Sequence, residues 1–598
     1  MVVIFAACLT ASLVQSSGGH VDIRSLTIPT QNGQWLAADL FKPISATKTN
    51  QAPLVVVIPG FQRSKEALSN ISIELARRGI VVISIDPYAQ GNSSSSLSRR
   101  AATTQGYGMF AVVDYAYETD ILNYVDKQRI AATGHSAGGN AAIRGAAYFG
   151  KQAGKSGRLG KLHSVFVSGY ALTMTDKVLR DVRSNVGMSY AFHDEGAYRN
   201  ELKHGDMRKA PESLRLVSSG LATDEIVEEI EIGSYYGSLS NRTLRVVHNE
   251  RLLHPFQPYS PEATANQIEF FEKAFGLPTD LSSHEQVWYW KELATFIAMI
   301  AAFVALLPLG GLLMETPYFK PLAHEIPPAL PRPQGSGRLV FWFVFALSAT
   351  IACFTYIPLS ELSHELFVDA SNRRMTWFFP QRMNNAVMLW AVLNGLVGFI
   401  IFFTSYFLFG SRHGIRTKMW GARISVAEFG RTLLLAGILF GFFFLTLFMM
   451  YWIFHVDYRF VFLGARVFQA DSLILLGMYA PIFFVFFLSN SLRVNGAMRF
   501  EGVPEWRGML LAGIANTLGL ILILIVQYSV FAFTGTVHWT DGWLYVNLLF
   551  GVVPMMFVLP YFNRFFFRLT GRIYLGPMTT CLIFIMILLT NTVCYLPL

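Results

Sequence analysis

Only four of the 598 residues are cysteine, namely Cys8, Cys353, Cys581 and Cys594. All four fall in apolar segments, so residues 17–291 contain none. A disulfide framework is thereby excluded for this stretch, and no Cys/His spacing matches a zinc site. His364-Glu365 lacks the second histidine that a zinc-peptidase helix needs. No basic face with interleaved aromatics is present, so the formal net charge of +9 is not the footprint of a nucleic-acid binder. Nothing in the first half repeats at a fixed period.

Charge is scarce in the second half. Residues 17–291 carry 29 Lys and Arg against 27 Asp and Glu, whereas residues 292–598 carry 19 against 12. The latter charges sit between eight uncharged apolar runs: Leu293–Met314, Leu339–Leu359, Val387–Gly410, Thr432–Phe454, Ser472–Leu492, Gly508–Phe533, Trp543–Phe562 and Leu575–Pro597. Each is about 20 residues or longer, the length of a helix that crosses the hydrocarbon core. Residues 292–598 therefore read as an all-α polytopic domain of eight helices. Residues 1–16 contain a shorter apolar run, Met1–Val14, without a basic start, and read as a signal anchor or signal peptide.

Loop charge predicts orientation. Loops 315–338, 411–431, 493–507 and 563–574 hold three, five, three and three Lys or Arg, whereas 361–386, 455–471 and 534–542 together hold five. Basic loops stay in the cytoplasm. Residues 17–291 are accordingly expected outside it, in a multi-pass protein of the plasma membrane.

Residues 17–291 alternate strand and helix patterns, which predicts a mostly parallel sheet flanked by helices. Val21–Ile28 and Gln34–Phe41 flank an Asn32-Gly33 turn and read as a hairpin. Leu54–Ile58 is wholly apolar, as in a strand buried on both faces. Ile80–Ile85, Arg129–Thr133, His163–Ser168, Gly187–Phe192 and Leu244–His248 read as further strands. Ser64–Arg78, Met109–Val125 and Pro261–Phe275 read as helices. Asp224–Glu231, with five acids in eight residues, reads as a solvated helix face over a site, part of a cap.

Gly134-His135-Ser136-Ala137-Gly138 follows an apolar run and precedes a small-residue helix pattern. This is the strand–turn–helix setting of a nucleophile elbow, in which the serine hydroxyl stands exposed above the sheet. A serine hydroxyl needs a base to take its proton. His254 follows the last predicted strand and precedes the last helix, where its loop overhangs the elbow. His248 competes from the edge of that strand, and His135 reads as a packing residue. Asp194 is the candidate acid that orients the base, with Glu195 adjacent and Asp206 farther off. Asn70, Asn92 and Asn241 stand in N-x-[ST] triplets; Asn394, Asn516, Gln527 and Asn591 lie within spans and are expected to bond neighbouring helices.

VVVIPGF (55–61), SIDPYAQGNS (84–93), TGHSAGG (133–139), FHDEG (192–196) and LLHPF (252–256) together resemble the α/β-hydrolase superfamily, in particular its dienelactone-hydrolase-like and serine-peptidase-like branches. The resemblance covers residues 20–278, and Ser, Asp, His is its order along the chain. It implies a triad of Ser136, Asp194 and His254, with an oxyanion hole from the N–H groups of Phe61 and Ala137. Ala191 stands where the family's acid motif usually has glycine. No cofactor or metal is implied. The helical half resembles no family.

The reading is a membrane-tethered serine hydrolase that cleaves an ester, or an amide or thioester, through an acyl-enzyme. Its expected partners are a small-molecule, lipid or envelope-linked acyl substrate and the membrane itself. Two rival readings are an inactive hydrolase-like binding module and a transporter with a hydrolase-like appendage. The uncharged spans speak against ion coupling, and the full triad set speaks against an inactive module.

Overall fold

The computed structural model describes every residue except 158, 223, 224, 226, 278 and 279. Its first half is built on a nine-stranded sheet of order β1-β2-β4-β3-β5-β6-β7-β9-β8. The strands are β1 Val21–Pro29, β2 Trp35–Pro43, β3 Ala52–Ile58, β4 Val81–Ile85, β5 Val125–His135, β6 Ser164–Ser168, β7 Asn185–Ser189, β8 Tyr235–Tyr236 and β9 Arg245–His248. The pairs from β4 through β3, β5, β6 and β7 to β9 are parallel. β1 and β2 form an antiparallel hairpin, and β2 is antiparallel to β4. In the hairpin turn Asn32 has φ 59° and Gly33 φ 75°, the left-handed values that such turns demand.

The central strands are apolar because helices cover both of their faces. Every residue of β3 is buried. The closing helix Pro261–Phe275 is bounded by local chemistry. Ser260 caps its start by accepting from the Ala263 N–H, Pro261 opens its first turn, and Gly276 ends it with φ 62°.

Three local expectations need correction. The helix predicted over Met109–Val125 stops at Glu118, because Val125 already pairs with Ala52 as the start of β5. The strand predicted over Gly187–Phe192 ends at Ser189, so Asp194 lies in a loop. The acidic stretch Asp224–Glu231 is not a helix in its described residues, with Asp224 and Ile226 outside them. The cover over the site comes from the other half of the chain.

Among the described residues, seven helices of 26 to 31 residues are long and apolar enough to cross a membrane: Trp288–Met314, Ser336–Leu366, Arg382–Leu408, Val426–Phe454, Asp471–Gly496, Glu505–Thr534 and Trp543–Thr570. The eighth predicted span is shorter. Helix Leu575–Thr590 has 16 residues. After it the Asn591 side chain bonds Ile587 O at 2.8 Å, and the tail runs out along the first half. Cys594 N–H donates to Ala89 O at 2.7 Å. Close helix packing relies on small residues. A Cβ on Gly395 would lie 2.8 Å from Phe486 N, and one on Gly519 2.7 Å from Ala349 O.

Of the four amides expected to bond neighbouring helices, Asn394 and Asn516 do so, whereas Gln527 meets a loop and Asn591 meets Gly464 and its own helix. Asn394 reaches Thr355 Oγ1, Asn516 donates to Met556 O, and Gln527 accepts from the Trp539 N–H. The loops also segregate by charge. The basic set gathers at one end, where Arg499 donates to Pro327 O and Met419 O. The poorer set meets the first half. Ala370 packs with Ala89, Tyr259 Oη donates to Val461 O, and Tyr198 Oη donates to Thr540 O.

Candidate active site

β5 runs through His135, and a 20-residue helix begins at Ala137, leaving Ser136 alone in the turn at φ 55° and ψ −114°. That conformation is unfavourable for an L-residue and persists only when its surroundings impose it. The neighbouring glycines explain the imposition. A Cβ on Gly134 would lie 2.5 Å from Ile58 O, and one on Gly138 only 1.9 Å from the same oxygen. Helix and strand thus approach more closely than any side chain permits, and the Ser136 N–H is anchored by Ser168 O at 2.8 Å. Gly60 presses on the same turn, since a Cβ there would be 3.3 Å from Ser136 Cβ. The Pro59-Gly60-Phe61 loop is therefore held against the elbow, and Ala137 forms the first turn of the helix.

His254 opens a short 3₁₀ turn, His254–Tyr259, six residues beyond β9. Its Nδ1 is 2.6 Å from Asp194 Oδ2. Asp194 is held in turn by the Gly196 N–H, which donates to Oδ1 at 2.7 Å. The adjacent Glu195 does something different. Its Oε2 accepts from the backbone N–H of His254 at 2.9 Å. Burial pulls the His254 pKa down, but the charge and hydrogen bond of Asp194 outweigh it, so the imidazole is held above its ordinary range. Burial, and then the charge of Asp194, push the Glu195 carboxyl up to about 7.

The remaining candidates fall elsewhere. His248 lies within β9, near Phe166, and burial drops its pKa to about 4. His135 is buried with its ring 4.6 Å from that of His254, and burial and the His254 charge hold it well below its ordinary value. Asp206 is engaged with Arg208. Asn70 is buried and donates to Thr264 Oγ1 and Pro258 O.

Ser136, His254, Pro59, Gly60 and Phe61 line one cavity of about 140 Å³. The helical half supplies much of the rest of its wall, which the sequence did not reveal. Trp543 stands edge-on to His254 with ring centres 5.5 Å apart. Tyr528 Oη lies 2.8 Å from Glu195 Oε1 and 3.1 Å from Asn547 Oδ1. Asn547 itself lines the cavity. The available signal was positional: Trp543 and Asn547 open an apolar helix that follows a short loop on the side of the nine-stranded sheet.

A buried charge cluster joins the halves beside the site. Lys65 pairs with Asp39 at 2.8 Å and Glu66 at 2.9 Å. From the helical half, Arg466 reaches Glu66 at 3.1 Å and Asp86 at 3.0 Å, and His455 reaches Asp39 at 3.0 Å. Burial opposes the charge on Glu66, but Arg466, Lys65 and Arg459 hold its pKa well below the usual carboxylate range.

Residues 7–152 match a family described as PET hydrolase-like. No curated protein matches the chain. Among solved structures, an esterase of Pyrococcus furiosus is 12% identical, with 43% of this chain and 94% of that one covered and a TM-score of 0.30. An α/β-hydrolase of a Penicillium species is also 12% identical, covering 43% of this chain and 99% of its own, at a TM-score of 0.29. A dipeptidyl peptidase 4 of Porphyromonas gingivalis is 14% identical, over 43% of this chain and 35% of its own, at 0.30. The fold follows from the strand order, the elbow and the family match. Residues 21–275 form an α/β-hydrolase domain, and the helices after it form a polytopic half whose family is not recognised.

Proposed function

We propose that the protein is a membrane-embedded serine hydrolase that cleaves a carboxylic ester through an acyl-enzyme. The observation that carries this reading is the 2.6 Å contact of His254 with Asp194 beside a cavity that also contains the strained Ser136. In the first step Ser136 Oγ bonds to the ester carbonyl carbon while His254 takes the hydroxyl proton. The N–H groups of Ala137 and Phe61 stabilise the oxyanion. Collapse breaks the bond to the alkoxy group, which leaves with the proton from His254. Water then repeats the sequence on the acyl-enzyme, releasing the acid and restoring Ser136. Asp194 holds the imidazole in the required tautomer and stabilises its cation. An ester is favoured over a peptide because, among the described residues, no carboxylate lines the cavity to hold a substrate amine. A lipid or envelope-linked acyl group suits a domain held at a membrane.

A fluorophosphonate probe applied to the detergent-solubilised protein tests the chemistry. Wild type should be labelled and Ser136→Ala should not; undiminished labelling of the variant overturns the assignment. Ester turnover should fall by about 10⁴-fold or more in Ser136→Ala, and nearly as far in His254→Ala, because residues acting as one unit are not additive. His248→Ala should keep most of its turnover.

We place the hydrolase domain outside the cytoplasm of a plasma membrane, because the basic loops gather at the opposite end. Single cysteines at Ser156 and Ser411, in a background without the four native ones, decide the matter. Both positions are exposed. An impermeant maleimide added to intact cells should label the first and spare the second. The opposite pattern would put the domain in the cytoplasm.

A further inference from the structure

We infer that the substrate is a lipid ester whose acyl chain lies between the membrane helices while its carbonyl sits at Ser136. This rests on the reading of Ser136 as the nucleophile.

The argument starts from the spacing on one helix. Leu544, Asn547, Leu548, Gly551, Val552 and Met555 of helix Trp543–Thr570 all line the cavity that contains Ser136. Steps of three, one, three, one and three keep one helix face turned toward the cavity over three turns. From Leu544 to Met555 that face runs about 16 Å along the axis at 1.5 Å per residue. This is about half the thickness of a hydrocarbon core. The helix starts beside the active site, where Trp543 meets His254. The cavity therefore leads from the nucleophile toward the interior of the membrane half.

Its chemistry is graded in the same direction. Asn384, Asn591 and Thr592 line it where the Arg382 and Leu575 helices meet the hydrolase side. One turn deeper on those helices come Val387, Ile587 and Leu588, and deepest of all Met555. Polar groups near the nucleophile suit the ester and its head group. An apolar channel beyond them suits a hydrocarbon chain, for which each buried CH₂ contributes about 0.8 kcal/mol. A hydrophilic peptide or sugar would gain nothing from this channel.

The channel also touches the loop that positions the base. Asn547 on its wall is within 3.1 Å of Tyr528 Oη, and that oxygen is 2.8 Å from Glu195, which holds the His254 backbone. The tyrosine has one proton and cannot donate to both. It donates to Glu195 Oε1 or to Asn547 Oδ1, so a group that displaces one acceptor shifts the other bond. Filling the channel thus bears on the same hydrogen bonds that position the catalytic imidazole.

Two fluorophosphonates test the inference on the full chain in detergent. One carries a butyl chain, the other a hexadecyl chain with a diazirine at its far end. Ser136 Oγ displaces fluoride from phosphorus in either. After irradiation of the long probe bound at Ser136, cross-links should map to the deep end of the channel, at residues 551–555 or at Val387, Ile587 and Leu588. The long probe should also label at least tenfold faster than the short one. Val552→Trp and Met555→Trp should each lower that ratio tenfold or more. The ratio is taken per reactive site, so loss of folded molecules cancels. Cross-links confined to residues 17–291, or a ratio unchanged in either variant, overturn the inference. Failure of both probes to label Ser136 overturns the nucleophile itself, which is a different result.

Discussion

The two halves bury polar groups by different rules. In the helical half the outward face is apolar, with Phe354 75% and Phe533 90% exposed, and the interior polar groups are mostly Ser and Thr hydroxyls bonded within their own helix, with fewer amides such as Asn563 and Asn490 that bond across helices. In the hydrolase half the sheet core is apolar and the surface is charged. Dense buried charge occurs at the contact between them, where Lys65, Glu66, Asp39 and Asp86 meet Arg466, Arg459 and His455. Buried ion pairs are weak contributors to net stability, since desolvation offsets the attraction. Their effect is directional, because any other docking leaves charges unpaired. The cluster therefore favours one pose, and in that pose the cavity at Ser136 and His254 runs along the Trp543 helix.

The sharpest contrast lies within the hydrolase half, between two neighbouring acids. Asp194 meets the imidazole and Glu195 meets the backbone of the same histidine. Asp194→Asn should lower kcat by about 10³- to 10⁴-fold, because the amide favours the wrong tautomer and gives no charge to the cation. The pKa governing kcat/KM on its acid side should also fall, since Asp194 is what raises it. Glu195→Gln should cost tenfold or less. Equal losses in a pH-resolved ester assay would leave the roles of the two acids undivided.

Next in size is the joint itself. Arg466→Met removes the guanidinium that meets both Glu66 and Asp86, leaving two buried carboxylates without it. Removing one partner of a buried pair costs about 3–5 kcal/mol. Thermal unfolding in detergent should show a lower midpoint, with fluorophosphonate labelling lost at lower temperature than in wild type. An unchanged midpoint would mean that apolar contacts such as Phe256 with Phe462 and Phe550 hold the halves together without the cluster.

Much of this was legible in the chain. Buried parallel strands announce themselves as apolar runs, and the elbow glycines are demanded by a helix that approaches Ile58 O within side-chain distance. The order of Ser136, Asp194 and His254 could be read because each follows a recognisable strand. Two failures have physical causes. Gly187–Phe192 has strand-like composition throughout, but the regular strand ends at Ser189, after which only the scattered backbone bonds of Tyr190, Phe192 and His193 lead to Asp194 beside His254. Leu575–Pro597 is apolar throughout, yet its last residues leave the helix to follow Ala89 and Gln90. What could not be read was that the spans roof the active site. Periodicity describes each helix alone, and Tyr528 carries no local sign of Glu195, 333 residues away.

The smallest effect concerns Glu195 and pH. Its carboxyl, nearly fully buried, has its pKa raised from an ordinary 4.5 to about 7. The folded state therefore binds a proton that the unfolded chain has released between those two values. Stability from this group is fully present below about 4.5 and is lost as pH rises through about 7. With each pKa unit equal to 1.36 kcal/mol, the whole swing is on the order of 3 kcal/mol. Glu195→Gln replaces the protonated acid with a neutral amide of the same shape. It should leave the unfolding midpoint little changed at pH 4.5 and raise it at pH 8, flattening the profile between. Burial, and then the charge of Asp194, explain the direction, because a neutral group there has no charge to desolvate and none to repel. If the midpoint of Glu195→Gln falls equally at both pH values, the carboxylate is the form that docks, held by the Tyr528 hydroxyl and the His254 N–H as donors.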